Sequence, residues 1–211
     1  MNQKLYRFFV ICGIVGPIYF ALTLLILGAM FPGYSHVHDY MSELGAVDSP
    51  VMLATNTLSF FLIGLFMFLY SFGIFEIFRG NRNGRIASML IMIAGLIVTT
   101  IGMFPCDPGC YNFSPTGITH VWASMLPFAF FLPAFVLFAY EGFKGHVFDR
   151  KWAIFIIIIT IISGITGAWH SEFEFGYGGL LQRMSYGFPL LFMLLSARHI
   201  YRIEFQQKRP L

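Results

Sequence analysis

Residues 8–30, FFVICGIVGPIYFALTLLILGAM, decide the fold of this chain. The stretch contains no acidic or basic side chain, and about 20 consecutive apolar residues are what an α-helix needs to cross a bilayer. It is too long for a signal peptide, has no small-residue cleavage site and leads directly into further apolar stretches. Residues 8–30 therefore predict a transmembrane helix that stays in the protein.

Five more apolar stretches follow, at residues 50–78, 86–104, 115–140, 152–169 and 184–200. The few charges inside these limits stand near the span ends, as Glu76 does in the last turn of the second stretch. Over 211 residues the chain is 57% hydrophobic and 11% charged, with a mean hydropathy of +0.74. Because soluble domains carry roughly a quarter charged residues, this composition excludes a soluble enzyme. It predicts an all-α polytopic integral membrane protein, a single domain of six helices.

The basic residues indicate the orientation of these six spans. Cytoplasmic loops carry the excess of Lys and Arg, and both termini are predicted to be cytoplasmic on that rule. The loops at residues 31–49, 105–114 and 170–183 are then outside, where Arg183 is the single basic residue. The other twelve of the thirteen fall on the opposite side, at Lys4, Arg7, Arg79, Arg82, Arg85, Lys144, Arg150, Lys151, Arg198, Arg202, Lys208 and Arg209. A net charge of +3, spread in this way, does not suggest a nucleic-acid partner.

The outer loops hold most of the residues that could carry chemistry. Counted together with the outer ends of the spans, which include His120, the outer face holds six of the ten acidic residues and four of the six histidines. One interpretation is that acidic and neutral polar residues simply avoid the basic cytoplasmic face. The other is that His and carboxylate side chains beside the span ends line a pocket. The residues concerned are His36, His38, Asp39, Glu43, Asp48, Asp107, His120, His170, Glu172 and Glu174.

The first outer loop, HVHDYMSELG at residues 36–45, has the periodicity of a short helix. Val37, Tyr40, Met41 and Leu44 recur at helical spacing and would form one apolar stripe. We predict a helix lying at the membrane interface, with His38, Asp39 and Ser42 on its polar side. Such a helix either turns its polar side to water or contributes that side to a site.

Three histidines from three different hairpins could hold a metal ion. His38, His120 and His170 with one open position would be the ligand set of a catalytic zinc site. A bound metal lowers the pKa of water, as hydrolysis of an ester or amide at neutral pH requires. The candidate catalytic residues around it are Asp39, Ser42, Glu43 and Asp107. The sequence has no His-Glu-x-x-His motif, so this hypothesis depends on the three loops converging.

Two other features of the outer face have structural and functional interpretations. Cys106 and Cys110 flank Asp-Pro-Gly, a turn sequence, and a disulfide is favoured over a metal site because two thiolates are too few for structural zinc. Arg183 either pairs with Glu172 or Glu174, or binds an anionic headgroup or carboxylate, since a guanidinium forks onto both. His36, Glu172 and Arg183 are therefore the candidate ligand-binding residues.

Glycines inside the spans predict close contacts between helices. Gly13 and Gly16 fall in the first stretch, and Gly164 and Gly167 in the fifth. Small residues at such spacing let helix backbones approach in membranes. We expect both pairs to lie at helix–helix interfaces.

Several short motifs resemble one membrane family. They are MSELGA at residues 41–46, Phe104 and Pro105 followed by Asp107, and His120 at the start of the fourth span. With six spans, they are similar to the bacterial and archaeal family catalogued as domain of unknown function 998. The resemblance implies a six-helix bundle in a prokaryotic plasma membrane and draws attention to the outer Ser, Glu, Asp and His positions.

A more remote similarity is to the intramembrane hydrolases that include alkaline ceramidases, in which His, Asp and Ser hold a zinc ion. This chain differs from them in having six spans instead of seven and no His-x-x-x-His on a late span.

Two functions follow as hypotheses. The first is a lipid or small-molecule hydrolase assisted by a divalent metal, with zinc as the expected ion. The second is a non-enzymatic protein that binds or carries lipid or assists membrane assembly, which fits the absence of a complete catalytic motif. Membrane lipids are the expected partners in both cases, and a homo-oligomer or another membrane protein is a further candidate.

Overall fold

The computed structural model describes residues 1–172 and 176–206, with side chains described for 1–167 and 176–206. Within these ranges the regular structure is entirely helical. The long helices are α1 (Gln3–Met30), α2 (Met52–Ile77), α3 (Arg82–Ile101), α4 (Pro115–Met125), α5 (Phe128–Phe143), α6 (Arg150–Glu172) and α7 (Gly178–Tyr201). The all-α prediction is confirmed.

Five stretches of the described chain are long and apolar enough to cross a membrane. They coincide with the first five predicted spans: α1, α2, α3, the pair α4 and α5, and α6 as far as Gly167. The last predicted span, residues 184–200, is helical as part of α7, but α7 is not among the five. Gln182 and Arg183 lie in its first turns, and Arg198 and His199 lie in its last turn, which lowers its hydropathy.

Two of the predicted spans are interrupted helices. In α2, residues Thr55–Phe61 form a π-helical segment, an irregularity often found at functional sites. The predicted span at 115–140 consists of α4 and α5, separated at Leu126 and Pro127. Proline has no N–H to donate to the preceding turn and its ring crowds the carbonyl there, so the helix is broken at this point.

The helices form a closed ring in chain order. Each of α1, α2, α3, α5, α6 and α7 packs on the next, and α7 returns to pack on α1. The two ends of the ring consist of different segments of the chain. The end that holds residues 31–51, 102–114 and 176–177 is called the loop end below, and the end that holds both chain termini is called the terminal end. Tyr6 and Phe205 are in ring contact there, at 5.2 Å between centroids.

A buried carboxylate joins the connections at the terminal end. Glu141, 1% exposed, accepts hydrogen bonds from the side-chain amides of Asn81 and Asn83, and His146 Nδ1 lies 3.7 Å away. A buried carboxylate is costly unless its oxygens are hydrogen-bonded. These contacts therefore hold the connection between α2 and α3 against the connection between α5 and α6.

Close packing through glycine is confirmed at the first predicted pair. A Cβ atom at Gly13 would overlap Tyr70 and Ala197, and one at Gly16 would lie 2.6 Å from Phe66 Cβ. Two helix backbones also approach closely between α2 and α3, where a Cβ on Gly95 would lie 2.7 Å from the backbone nitrogen of Phe68. Neither backbone can move away without disturbing its helix.

Gly95→Ala should therefore destabilise the protein. Overpacking of this kind typically costs about 1–3 kcal/mol, or about 2–4 °C of thermal midpoint for each kcal/mol in a chain of this size. Gly187→Ala is the matched control, since it adds the same methyl group to a helix where no atom lies within 4 Å. Thermal unfolding of the purified proteins in detergent measures both, and equal midpoints for the two variants would contradict the packing interpretation.

Candidate functional site

The first loop of the loop end is bonded to the start of α7. The backbone N–H groups of Gly179 and Leu180 donate to the carbonyl oxygens of His38 and Val37, at 3.1 and 2.9 Å. The first N–H groups of a helix have no acceptor within the helix, and this loop supplies two. Gly179 permits the contact because a Cβ there would collide with the carbonyl of Asp39.

Gln182 extends this attachment one turn further along α7. Its Oε1 accepts from the backbone N–H of Met41 at 2.6 Å, and its Nε2 donates to Ser42 Oγ at 3.2 Å. The side chain is buried, so these bonds replace the water that a primary amide would otherwise require. Ser42, predicted on the polar side of an interfacial helix, is a buried group within this contact.

Arg183 bonds to the same loop through both of its terminal nitrogens. Nη1 donates to the carbonyl oxygens of Asp39 and Gly179, at 3.0 and 2.8 Å. Nη2 donates to Tyr34 Oη and to His36 Nδ1, the latter at 3.0 Å. Within the described side chains no carboxylate lies within ion-pair distance of this guanidinium. Arg183 therefore holds the loop on α7 through neutral partners.

His36 is held in its neutral form by this arrangement. Burial, and secondarily the charge of Arg183, lowers the pKa of His36 below its ordinary value of 6.5. Its Nδ1 accepts from Arg183, which a protonated ring could not do. Both side chains also line an apolar groove of about 540 Å³ between α1 and α7. The third candidate ligand-binding residue, Glu172, lies outside the described side chains, so an Arg183–Glu172 pair stays a prediction.

The predicted interfacial helix over residues 36–45 is wrong. The segment forms a turn followed by a short 3-10 helix at Met41–Gly45, in which Met41, Ser42 and Leu44 are buried. Helical periodicity was present, but the backbone of the turn bonds to α7 and the polar face is covered by Gln182. Tertiary contacts with the last helix therefore override the local pattern.

The candidate catalytic carboxylates are bonded to nearby loop backbone. Asp39 Oδ2 accepts from Ser35 N at 2.6 Å, and Glu43 Oε1 accepts from Tyr40 N at 2.9 Å. Burial raises the pKa of Glu43 above its ordinary value. Both contacts are the kind that order a turn or begin a short helix. A catalytic role for Asp39 or Glu43 stays a prediction.

Asp107 orders the second loop of the loop end. Its carboxylate accepts from Ser114 Oγ at 2.6 Å and from the backbone N–H groups of Phe113 and Ser114 at 2.7 Å. The bonds from Ser114, and that from Phe113, lower the pKa of Asp107 below its ordinary value. The carboxylate is therefore placed at the start of α4, and its candidate role as a catalytic base stays a prediction.

A disulfide lies in the same loop. Cys106 and Cys110 are bonded, with their Cα atoms 5.1 Å apart. The carbonyl of Cys106 accepts from Val47 N at 3.1 Å, which joins the second loop to the first. The disulfide therefore restricts the conformation of the second loop, whose backbone is hydrogen-bonded to the first loop.

His120 is a buried polar group of the loop end that is only partly hydrogen-bonded. It lies on α4, is 3% exposed, and its Nδ1 donates to the carbonyl oxygen of Phe104 at 2.7 Å. Since a carbonyl can only accept, Nδ1 carries the proton and Nε2 of a neutral ring presents a lone pair. This Nε2 is buried without a hydrogen-bond partner. Buried polar atoms of this kind are rare in folded proteins and call for an explanation.

A cavity of about 480 Å³ adjoins His120. Part of its wall is apolar, formed by side chains such as Phe128 and Leu132. Gly164 and Gly167 also line it, and a Cβ on Gly164 would have no atom within 4 Å. The prediction of close helix packing is thus wrong for Gly164, which borders open space, whereas a Cβ on Gly167 would lie 3.6 Å from Ser185 Cβ on α7, an ordinary contact. The polar side chains of the wall are Tyr40, Ser42, Asn112, His120, Ser124, Ser163, Gln182 and Tyr186.

The proposed metal ligands are placed differently from one another. His38 Nδ1 donates to the carbonyl of Gly176 on the exposed surface of the first loop, whereas His120 is buried beside the cavity. The side chain of His170 lies outside the described residues. Among the side chains that are described, no three His, Cys, Asp or Glu residues group closely enough to hold a metal ion. A zinc site built from all three histidines stays a prediction.

Gln182, Asn112 and Gly164 line the cavity but were not predicted from the sequence as parts of a site. A signal for Gln182 was available, since it stands next to the candidate ligand-binding residue Arg183, just before the sixth predicted span. Asn112 and Gly164 carried no such signal, because a polar loop residue and a glycine in a span are both common. Their place on the cavity wall depends on the packing of α4, α5 and α6.

Taken together, the fold and the cavity define an all-helical protein of membrane type with a half-polar pocket at one end of its helix ring. A family model described as "Protein of unknown function (DUF998)" matches residues 14–199. The chain therefore belongs to this family, as the motifs around Met41, Phe104 and His120 indicated. No curated protein and no solved structure matches the chain.

Acidification should weaken the attachment of the first loop through His36. Its folded-state pKa is lowered, so its contribution to stability is complete above the ordinary value of 6.5 and is lost as the pH falls below that value. We expect the thermal midpoint to fall between pH 7.5 and pH 5, and to fall less in His36→Gln, whose amide oxygen accepts from Arg183 at either pH. An equal fall in both proteins would contradict the role of His36.

Proposed function

We propose that this protein binds an amphiphilic molecule, lipid-like in having an apolar chain, in the cavity beside His120. The polar head of this ligand is uncharged and carries an O–H or N–H donor. The function is binding, as in a lipid-binding or carrier protein, in preference to hydrolysis. Each property of the ligand follows from a property of the cavity wall.

The unpartnered Nε2 of His120 is the observation that carries this proposal. A lone pair buried without a donor costs free energy comparable to that of a lost hydrogen bond. A ligand hydroxyl or amine on the wall of the cavity would donate to it and remove that cost. Asn112 and Gln182 also line the cavity, and each amide makes one hydrogen bond through its nitrogen and one through its oxygen within the protein, which leaves one N–H and one oxygen lone pair for a ligand head.

The charge of the wall supports an uncharged head. Among the described residues that line the cavity, none is Asp, Glu, Lys or Arg. A charged head would lose its hydration there without an ion partner, at a high free-energy cost. A sugar, a glycerol or a similar hydroxyl-bearing group meets the donor requirement without a charge.

The remaining wall supports an apolar chain on the ligand. Val121, Met125, Phe128 and Leu132 follow α4 into α5 along one side of the cavity. A volume of about 480 Å³ lies within the usual range for small-molecule sites, roughly 300–1,000 Å³. The polar and apolar parts of the wall are adjacent, as the two parts of an amphiphile are.

The proposed site is in the outer leaflet of a prokaryotic plasma membrane. Six spans with both termini cytoplasmic would put the loop end outside, and the distribution of Lys and Arg supports this orientation. The α7 helix is long enough for the sixth span at 24 residues. Its polar first turns would lie at the interface, where the first loop covers them.

A Gly164→Leu substitution tests the proposed function without altering any polar group. The new side chain would occupy the open space beside the cavity, and we expect at least a tenfold loss of co-purified amphiphile, counted by native mass spectrometry. Gly187→Leu is the control, since it adds the same side chain to another glycine with open space, on the wall of the α1–α7 groove. Equal ligand retention by Gly164→Leu and the parent would overturn the proposal.

The contribution of His120 is measured in the same assay. His120→Phe keeps an aromatic ring but removes the acceptor, so it should release the hydroxyl-bearing ligand. His120→Gln restores an amide oxygen and should recover part of the binding. Unchanged binding in His120→Phe would show that Nε2 does not contact the head.

Metal-assisted hydrolysis is the second candidate function. The same lone pair on His120 Nε2 is what a zinc ligand must offer, which is the observation that favours it. This hypothesis predicts near-stoichiometric zinc by elemental mass spectrometry of protein purified without chelators or a histidine tag, lost in both His120→Ala and His170→Ala. Metal content that neither substitution changes would contradict the three-histidine site.

A further inference from the structure

A second groove lies at the opposite end of the ring, between α6 and α7. It has a volume of about 620 Å³ and is far from the residues of the proposed site. Lys151 stands in the first turn of α6, and Arg198 and Arg202 are four residues apart at the end of α7. In a helical run this spacing puts both arginines on one face, and all three basic side chains line the groove.

The basic residues of this groove form no ion pair with the protein residues that the structure describes. Lys151, Arg198 and Arg202 are exposed and form no ion pair there. None of the described lining residues is acidic. The nearby Asp149 instead accepts from the backbone N–H of Trp152, at 3.0 Å. The groove therefore concentrates three cations around one space.

The floor of the groove is apolar and aromatic. Trp152 and Phe155 follow Lys151 along α6 and pack ring to ring at 5.7 Å, and Leu195 lies one turn before Arg198 on α7. Trp is enriched where the hydrocarbon of a membrane meets water. The charged part of the groove thus continues into an apolar part that extends along α6 and α7 away from the terminal end.

We propose that this groove binds an anionic phospholipid, with its phosphate among Lys151, Arg198 and Arg202 and an acyl chain along Phe155 and Leu195. A phosphodiester gives these cations the anion that the protein does not supply, and guanidinium groups bind phosphate in a bidentate geometry. Basic pockets between transmembrane helices are recognised sites for acidic headgroups. A free phosphate would leave the apolar floor uncovered, so the occupant is a lipid.

The competing explanation is that these residues serve orientation alone. Basic residues accumulate on the cytoplasmic side of membrane proteins whether or not they bind anything. That explanation treats all the basic residues of the terminal end alike. Lipid binding in the groove depends on only three of these residues. Removing those three, or three other basic residues of the terminal end, therefore distinguishes lipid binding from orientation.

The test compares two triple variants that lose the same charge. Lys151→Gln/Arg198→Gln/Arg202→Gln removes the groove cations, and Arg79→Gln/Arg82→Gln/Arg85→Gln removes three from the connection between α2 and α3. The full chain is titrated in detergent with phosphatidylglycerol or phosphatidylcholine, and bound lipid is counted by native mass spectrometry. We expect the groove variant to lose at least tenfold in affinity for phosphatidylglycerol, with little change in the control.

Two further measurements keep the result unambiguous. Arg202→Gln alone, beyond the end of α7, should weaken phosphatidylglycerol binding without affecting folding, and glycerol 1-phosphate should compete poorly because it lacks the acyl chain. An equal loss in both triple variants, or equal binding of the two lipids by the parent, would overturn the proposal. Gly164→Leu should leave this binding intact, so failure here and failure of the proposed function are distinguishable.

Discussion

The loop end of this protein depends on a mutual need for hydrogen bonds between α7 and the first loop. The N–H groups of Gly179 and Leu180 have no acceptors within their own helix. The carbonyl oxygens of Val37 and His38 lie in a loop and have no donors from a regular helix or sheet. Each set satisfies the other. Gln182 and Arg183 then extend the contact by side chain, so that the first and last helices of the ring are joined by the chain between α1 and α2 as well as by direct packing.

Two buried polar groups, one at each end of the ring, differ in how completely they are hydrogen-bonded. At the terminal end Glu141 is surrounded by donors, and its hydrogen bonds serve to join two connections. At the loop end His120 has one bonded nitrogen and one without a partner, beside open space that Gly164 borders. A fully bonded polar group makes a structure rigid and specific, whereas a partly bonded one is a place for something else to bind. This difference explains why the proposed ligand site is at the loop end.

The helices could be predicted from the sequence because membrane spans depend on length and hydropathy, which are local properties. The loop end could not be predicted in the same way. Residues 36–45 have a helical pattern, but contacts with Gln182, about 140 positions later, decide their structure. Gly164 has the sequence context of a packing glycine and borders a cavity, because the neighbours of a glycine are set by helix placement. His120 was singled out from the sequence as a candidate metal ligand at the start of the fourth span, but which of its nitrogens lacks a partner depends on the carbonyl of Phe104, which accepts from the other.

The bond between the first loop and the last helix also has a consequence for biosynthesis. A ribosome makes residues 34–42 long before it makes residues 179–183, yet the structure joins the two segments. Until α7 packs against α1 and α6, the carbonyls of the first loop lack these donors and the ring stays open between α1 and α6. Packing of the last helix is therefore the step that closes the ring, and the first loop is covered only once the whole chain has been made.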